Sequence, residues 1–367
     1  MNRRHFITKA GMLAGGTALG APLATPAVAR SAPEIKWRLT SSFPKSVDTI
    51  YGSADVISKL VSDLTGGKFQ IQVFPSGELI PGLQALDAVQ NNTVEACHTV
   101  SYYYVGKDPT FSLGGSIPFG LNARQQNAWL YAGGGEALLN NFFANYNVVY
   151  AAGGNTGTQM GGWFRSEIKS VADLNGLKMR IAGLAGRVVE RLGVVPQQIA
   201  AGDIYSSLER GTIDATEWVG PYDDEKLGFY QVAKYYYYPA FWEGGPTICF
   251  FFNKAKYDEL PSEYKNALDV ACKVANQNML VQYDVKNTQA IRRLVGKGVQ
   301  LRPMPRDVLD ASYIEAFKLY AELSATNEHW KKIYEPWKVF RDETYQWFRT
   351  AEYTFDSYVY TQQARGK

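Results

Sequence analysis

Ile35-Lys36-Trp37-Arg38-Leu39-Thr40-Ser41-Ser42-Phe43-Pro44 opens the part of this chain that can build a core. Residues 35–39 alternate apolar and polar, the period of a strand covered on one face. Ser41-Ser42-Phe43-Pro44 breaks that pattern. Ile50, Ala54, Ile57, Leu60, Val61 and Leu64 then recur at three-to-four spacing, which predicts a helix, and Thr65-Gly66-Gly67 stops it. Residues 69–74 read as a second strand and residues 77–89 as the opening of a second helix. Residues 93–100 read as a helix end turning into a third strand. Strand and helix alternating in this way mark an α/β lobe.

The alternation restarts further on. Residues 148–152 predict a strand feeding Gly153-Gly154-Asn155-Thr156-Gly157. Leu174-Asn175-Gly176 turns into Leu177-Lys178-Met179-Arg180-Ile181. Residues 187–192 and 204–209 read as helical, 194–197 as a short strand, and 211–218 as a turn and strand. Two such halves predict an α/β fold of two lobes around a central cleft. The expected division is 30–154 with about 246–290 for lobe 1, and 155–245 with about 291–325 for lobe 2. From about residue 255 the pattern is mostly helical. Residues 326–367, with Trp330, Trp337, Trp347, Phe348, Tyr353 and Tyr358, predict long C-terminal helices packed on the lobes or on the second subunit of a homodimer.

The first 29 residues read as an export leader. Arg3-Arg4 precede Phe6, residues 10–23 are small and apolar without an acid, and Ala27-Val28-Ala29 is a small-x-small cleavage site. Paired arginines in that order are the pattern of the twin-arginine route to the periplasm. Without the leader the chain carries 35 basic and 35 acidic residues. That balance offers no electrostatic case for nucleic acid or an anionic membrane. No later segment is apolar for long enough to cross a bilayer.

Cys97, Cys249 and Cys272 form no CxxC, and an odd number cannot all pair. Three buried thiols are the expected arrangement, with a Cys249–Cys272 disulfide the less favoured one. Only His98 and His329 remain after the leader, which argues against a histidine-rich zinc site. His98 reads as a packed histidine.

Trp37-Arg38-Leu39-Thr40-Ser41-Ser42-Phe43-Pro44-Lys45, Gly77-Glu78-Leu79-Ile80-Pro81-Gly82, Leu177-Lys178-Met179-Arg180 and Gly211-Thr212-Ile213-Asp214-Ala215 resemble the periplasmic solute receptors of TRAP transporters, the DctP family. Residues 154–164 and 214–226 are similar to the branch that binds α-keto or α-hydroxy monocarboxylates with a metal ion. The resemblance spans nearly the whole chain after the leader. It implies a periplasmic-binding-protein-like fold with a hinge and a ligand buried between two domains. It also implies a TRAP permease of small and large membrane subunits as the partner.

Arg180 shares the polar face of its strand with Lys178. A guanidinium matches a carboxylate with two parallel hydrogen bonds and keeps its charge. Taken alone, such an arginine reads as a surface ion-pair partner; the resemblance makes it the carboxylate clamp. Glu217, taken alone, reads as a structural acid. The resemblance makes Glu217, the Trp218 carbonyl, the Gln159 amide oxygen and Glu243 a metal-holding set, with Arg180, Gln159, Trp218, Glu243 and Asn155 expected at the substrate. The tyrosine run 101–107 reads as a cleft wall, with the Tyr103 hydroxyl the expected donor to a keto oxygen. Oxygen ligands alone suit Na⁺ or Ca²⁺. Arg180, Glu217, Glu243 and a bound acid sum to −2, which favours Ca²⁺. The motifs favour Na⁺, which is the expected ion, with Ca²⁺ as the alternative. Asp223-Asp224-Glu225 reads as first-turn helix acids without a function, and the Tyr235–Tyr238 run as ordinary packing.

An exported enzyme is the rival reading. It would need an activated nucleophile, a Schiff-base lysine or an open metal position. No G-x-S-x-G, HExxH or GK[ST] motif is present. A receptor, not an enzyme, is therefore expected. A ligand-presenting sensor subunit would read the same way.

Overall fold

The computed structural model describes residues 33–366, so the leader read at residues 1–29 lies outside the described part. Eleven strands appear among the described residues: β1 (Ile35–Ser41), β2 (Phe69–Phe74), β3 (Ala96–Thr99), β4 (Val148–Asn155), β5 (Gly162–Phe164), β6 (Lys178–Arg180), β7 (Val195–Gln197), β8 (Ala215–Thr216), β9 (Tyr235–Tyr238), β10 (Thr247–Asn253) and β11 (Gln300–Pro303). They form two mixed sheets. The first runs β2-β1-β3-β10-β4, and the second runs β11-β9-β5-β8-β6-β7. In the first, β1 lies parallel to β2 and β3, while β10 is antiparallel to β3 and β4. In the second, β6 is parallel to β7 and β8, while β5 is antiparallel to β8 and β9.

The chain passes between the sheets after β4, again after β9, and a third time along the helix Ser262–Gly296. That helix is 35 residues long. It packs on β4 and on the helix Asp48–Leu64 beside the first sheet, and on the helix Pro221–Leu227 beside the second. β10 is buried along its whole length, as befits a strand between two others under helices. Trp163, Trp218, Phe229 and Tyr236 belong to the core of the second sheet, where Ile248 and Met279 join them.

Several local readings change. The helix expected over 77–89 is a short turn, Gly82–Gln84, running into Ala85–Gln90, because Pro81 holds the entry extended. The small residues of 182–186 precede the helix expected over 187–192. They start a helix, Gly183–Glu190, four residues before the predicted onset. Gly183 has φ +67°, and a Cβ there would sit 3.2 Å from that of Tyr102, so glycine lets the two elements meet. β11 interrupts the helical C-terminal region. It pairs with β9, a partner more than sixty residues away that no local pattern reports. Tyr235–Tyr238 forms β9, in which Tyr236 and Tyr237 are buried as packing residues.

Cys97, Cys249 and Cys272 are free and buried, so Cys249 and Cys272 are not joined. His98 bridges Ser41 Oγ at 3.0 Å and Ser53 Oγ at 2.9 Å. Burial lowers its pKa to about 3, which keeps it neutral. Among the described residues no helix is long and apolar enough to cross a membrane. Trp330 and Trp337 are buried at the start of the helix Glu328–Thr350. The last helix, Glu352–Ala364, buries none of its residues.

Candidate binding site

β6 and β8 run side by side and parallel, with Arg180 opposite Thr216. Their carboxyl ends therefore deliver Arg180, Glu217 and Trp218 to one edge of the sheet, where α/β folds place ligands. Met179 points the other way into an apolar core. Arg180 is only 2% exposed. Its Nη1 donates to Glu217 Oε1 and, at 3.2 Å, to the Glu217 carbonyl, while Nε donates to the Ile199 carbonyl at 3.1 Å. The guanidinium carbon lies 5.2 Å from the centroid of the Trp218 ring. Glu217 Oε1 also accepts the Ala182 amide at 3.2 Å.

The two crossovers between the sheets meet here. Gln159 donates its backbone N–H to the Glu243 carbonyl at 3.1 Å, and Ala240 donates to the Gln159 carbonyl at 3.2 Å. Gln159 Nε2 donates to Thr156 Oγ1 at 3.2 Å. Its Oε1 and Glu243 Oε2 are buried and accept from no donor among the described residues. From the first sheet's side come Phe43, Ile50, Tyr102 and Tyr103. With Arg180, Glu217 and Gln159 they enclose a cavity of about 10 Å³, room for about one water.

Electrostatics follows the burial. Burial, then the charge of Glu217, holds the Glu243 carboxyl well above its usual range, against the pull of Tyr102 and Arg180. Burial also pushes Glu217 up, and the Arg180 charge draws it back. Tyr103 is pushed up to about 12, chiefly by burial, so it stays a neutral donor. Two carboxylates, an amide oxygen and a backbone carbonyl at one cleft edge fit a hard cation such as Na⁺ or Ca²⁺. Among the described residues no three His, Cys, Asp or Glu side chains gather as a metal group.

Residues 40–327 match the model of bacterial extracellular solute-binding protein family 7, DctP. The chain belongs to that family. A monocarboxylate 2-oxoacid-binding periplasmic protein from a Nostoc species is 46% identical over 365 residues, which is 99% of this chain and 100% of that one. A family 7 relative of known structure, the TRAP transporter solute binding protein of Bordetella bronchiseptica RB50, aligns with a TM-score of 0.90 at 49% identity, covering 91% of this chain and 100% of that one. That protein is a mixed-occupancy dimer with copurified calcium and picolinate in one active site and an apo second site. A TRAP periplasmic solute binding protein from Pseudoalteromonas atlantica T6c, with bound sodium and pyruvate, aligns with a TM-score of 0.86 at 34% identity, covering 88% and 99% of the two chains.

Within this family 7 chain the structure gathers Arg180, Glu217, Trp218, Gln159, Glu243 and Tyr103. It does not bring Asn155 to them. The Asn155 amide donates to the Gly245 carbonyl at 3.0 Å and accepts from Gly157 at 2.9 Å, so it braces the crossover. Tyr102 was missed. Residues 101–104 form a tight turn that sends Tyr104 to the core beside Thr99 and Leu86 and leaves both Tyr102 and Tyr103 at the site. Phe43 was quoted only as a motif residue.

Asp223 and Asp224 stand in the first turn of the Pro221–Leu227 helix, as expected. Both are buried. Asp223 Oδ2 accepts from Tyr283 at 2.7 Å. Asp224 Oδ2 accepts from Trp163 Nε1 at 2.9 Å and Tyr236 at 2.6 Å. The aromatic partners lie on β5, β9 and the long helix, far away in sequence. Burial raises Asp223 to about 6 and Asp224 to about 7. An unfolded aspartate releases its proton near 3.9. The native state therefore holds these protons longer, and its stability is full below about pH 4 and falls as pH rises towards 7. The loss attached to Asp224 is on the order of 4 kcal/mol. In EDTA, the melting temperature should fall by several degrees from pH 5 to pH 8, and Asp224→Asn should flatten that fall. Equal slopes for the two proteins would remove Asp224 as the source.

Proposed function

We propose that this family 7 receptor captures a small 2-oxo monocarboxylate, or its 2-hydroxy counterpart, together with Na⁺ or Ca²⁺, and delivers it to a two-part membrane permease. The observation that carries the reading is the pair of buried, donorless oxygens, Gln159 Oε1 and Glu243 Oε2, beside the buried Arg180 guanidinium. A buried oxygen without a donor is costly, and a cation satisfies both. In this reading Arg180 grips the carboxylate. Glu217, the Trp218 carbonyl, Gln159 and Glu243 hold the cation, and Tyr103 donates to the α-oxygen. The relatives bound to pyruvate with sodium and to picolinate with calcium support the ligand class.

A 10 Å³ cavity is too small for pyruvate, so entry requires the lobes to part. The proposed lobes are 30–154 with 246–290 and 155–245 with 291–325, hinged at the crossovers that Gln159 and Glu243 pin together. Residues 1–29 are proposed to export the folded chain by the twin-arginine route; Arg3 and Arg4 both changed to lysine should keep it in the cytoplasm. Tyr353, Phe355, Tyr358 and Tyr360 are about two-thirds exposed on the final helix, which suits a second copy. Light scattering should give the mass of two chains, and monomer at all concentrations would remove that part.

A thermal-shift screen tests the main reading. Pyruvate, longer 2-oxo acids, 2-hydroxy acids and dicarboxylates are added with Na⁺, Ca²⁺ or EDTA. A 2-oxo acid with a cation should raise the melting temperature, since a ligand at a hundred times its Kd adds about 2.7 kcal/mol. EDTA should abolish any rise that depends on Ca²⁺. No rise with any acid, or recovery of the acid chemically converted, would sink it.

A further inference from the structure

The Trp218–Val219 peptide is held at its N–H by a residue that does not line the cavity. Val219 donates its N–H to Asp224 Oδ1 at 3.4 Å. Asp224 is itself immobilised. It is 1% exposed, and its other oxygen is held by Trp163 and Tyr236, whose rings stack 4.0 Å apart on neighbouring strands. The next carbonyl, that of Val219, accepts from Met160 at 3.1 Å. On the preceding side Glu217 donates its N–H to the Arg180 carbonyl at 3.2 Å. The Trp218 carbonyl accepts no hydrogen bond among the described residues.

In a planar trans peptide the N–H and C=O point in opposite directions. A carboxylate that captures the Val219 N–H therefore aims the Trp218 C=O the other way. It also polarises the peptide, drawing electron density onto that oxygen. Those are the two properties a carbonyl needs to hold a hard cation. We propose that Asp224 is a positioning residue for cation binding, acting through the Trp218–Val219 peptide, an inference that rests on the Trp218 carbonyl being a cation ligand as proposed above. Partners one step behind a metal ligand set its orientation, and their loss weakens the metal tenfold to a hundredfold.

The sequence offers a direct probe. Of the eight tryptophans only Trp218 precedes a valine. Isotope labels at tryptophan carbonyl carbons and valine nitrogens thus give a single amide–carbonyl cross-peak, that of this peptide. The mature chain is titrated with Ca²⁺ at saturating pyruvate. The wild-type carbonyl resonance should move on saturation. In Asp224→Asn the Val219 nitrogen should be displaced before Ca²⁺ is added, and the carbonyl should respond only at Ca²⁺ concentrations about tenfold or more higher. Tyr236→Phe removes one donor to Asp224 and keeps the stacked ring. It should shift the midpoint in the same direction by a smaller factor, and it serves if the first variant does not fold. A wild-type carbonyl that ignores Ca²⁺ overturns the ligand reading. A wild-type carbonyl that responds, with unchanged midpoints in every variant that folds, overturns the role of Asp224 alone.

Discussion

Arg180→Lys is expected to weaken pyruvate binding by tenfold or more at saturating cation. Lysine keeps the charge and loses the fork. Arg180 does three things at once in the structure: Nη1 serves the Glu217 side chain and carbonyl, Nε serves Ile199, and the plane lies over Trp218. One ammonium cannot reproduce that geometry. A carbonyl left without its donor in a buried place costs about 1–3 kcal/mol, and tenfold in affinity corresponds to about 1.4 kcal/mol. Part of the cost will fall on the protein without ligand, because Glu217 loses its matched partner. The melting temperature in EDTA should therefore drop as well. Calorimetry with pyruvate checks the first effect and a melt checks the second. An unchanged dissociation constant would take Arg180 out of the site, whatever happens to stability.

Glu243→Gln should separate the two cations. Arg180, Glu217 and a bound acid sum to −1, which Na⁺ cancels. An ionised Glu243 makes the sum −2, which Ca²⁺ cancels. The reading from sequence counted Glu243 as charged. In the structure burial and the neighbouring Glu217 hold its carboxyl well above the usual carboxylate range. Uptake of Ca²⁺ should then expel a proton and tighten as pH rises, because a raised carboxyl pKa withholds the charge at lower pH. Uptake of Na⁺ should depend less on pH. The glutamine variant should lose tenfold or more in Ca²⁺ affinity, together with the proton release, while binding with Na⁺ changes by a few-fold at most. Calorimetry in two buffers of different ionisation enthalpy counts the protons. Wild-type Ca²⁺ uptake without proton release would contradict this account.

These expectations show where the sequence was legible. The two strand–helix alternations were visible because each lobe repeats a local period. Glu217 and Arg180 could be singled out because they end short strands inside recognisable motifs. The two backbone contacts that the Asn155 amide closes could not be read from its motif. Tyr102 was passed over because consecutive tyrosines look alike until a turn sets their directions. Asp223 and Asp224 were legible as first-turn acids, but their burial was not, because the donors that let them be buried lie on other elements.

By itself the sequence determined what local chemistry determines: strand and helix periods, the turn glycines, an electrically balanced chain after a basic first 29 residues, and the residue types able to hold an acid and a hard cation. Only the tertiary structure decided which carboxyls are charged and which oxygens lack a donor. It alone brought β11 to β9, and it alone set the two crossovers against each other with Gln159 and Glu243. The physical reason is that burial and hydrogen bonding are properties of a site's whole surroundings, and here those surroundings come from segments as far apart in the chain as Phe43 and Glu243.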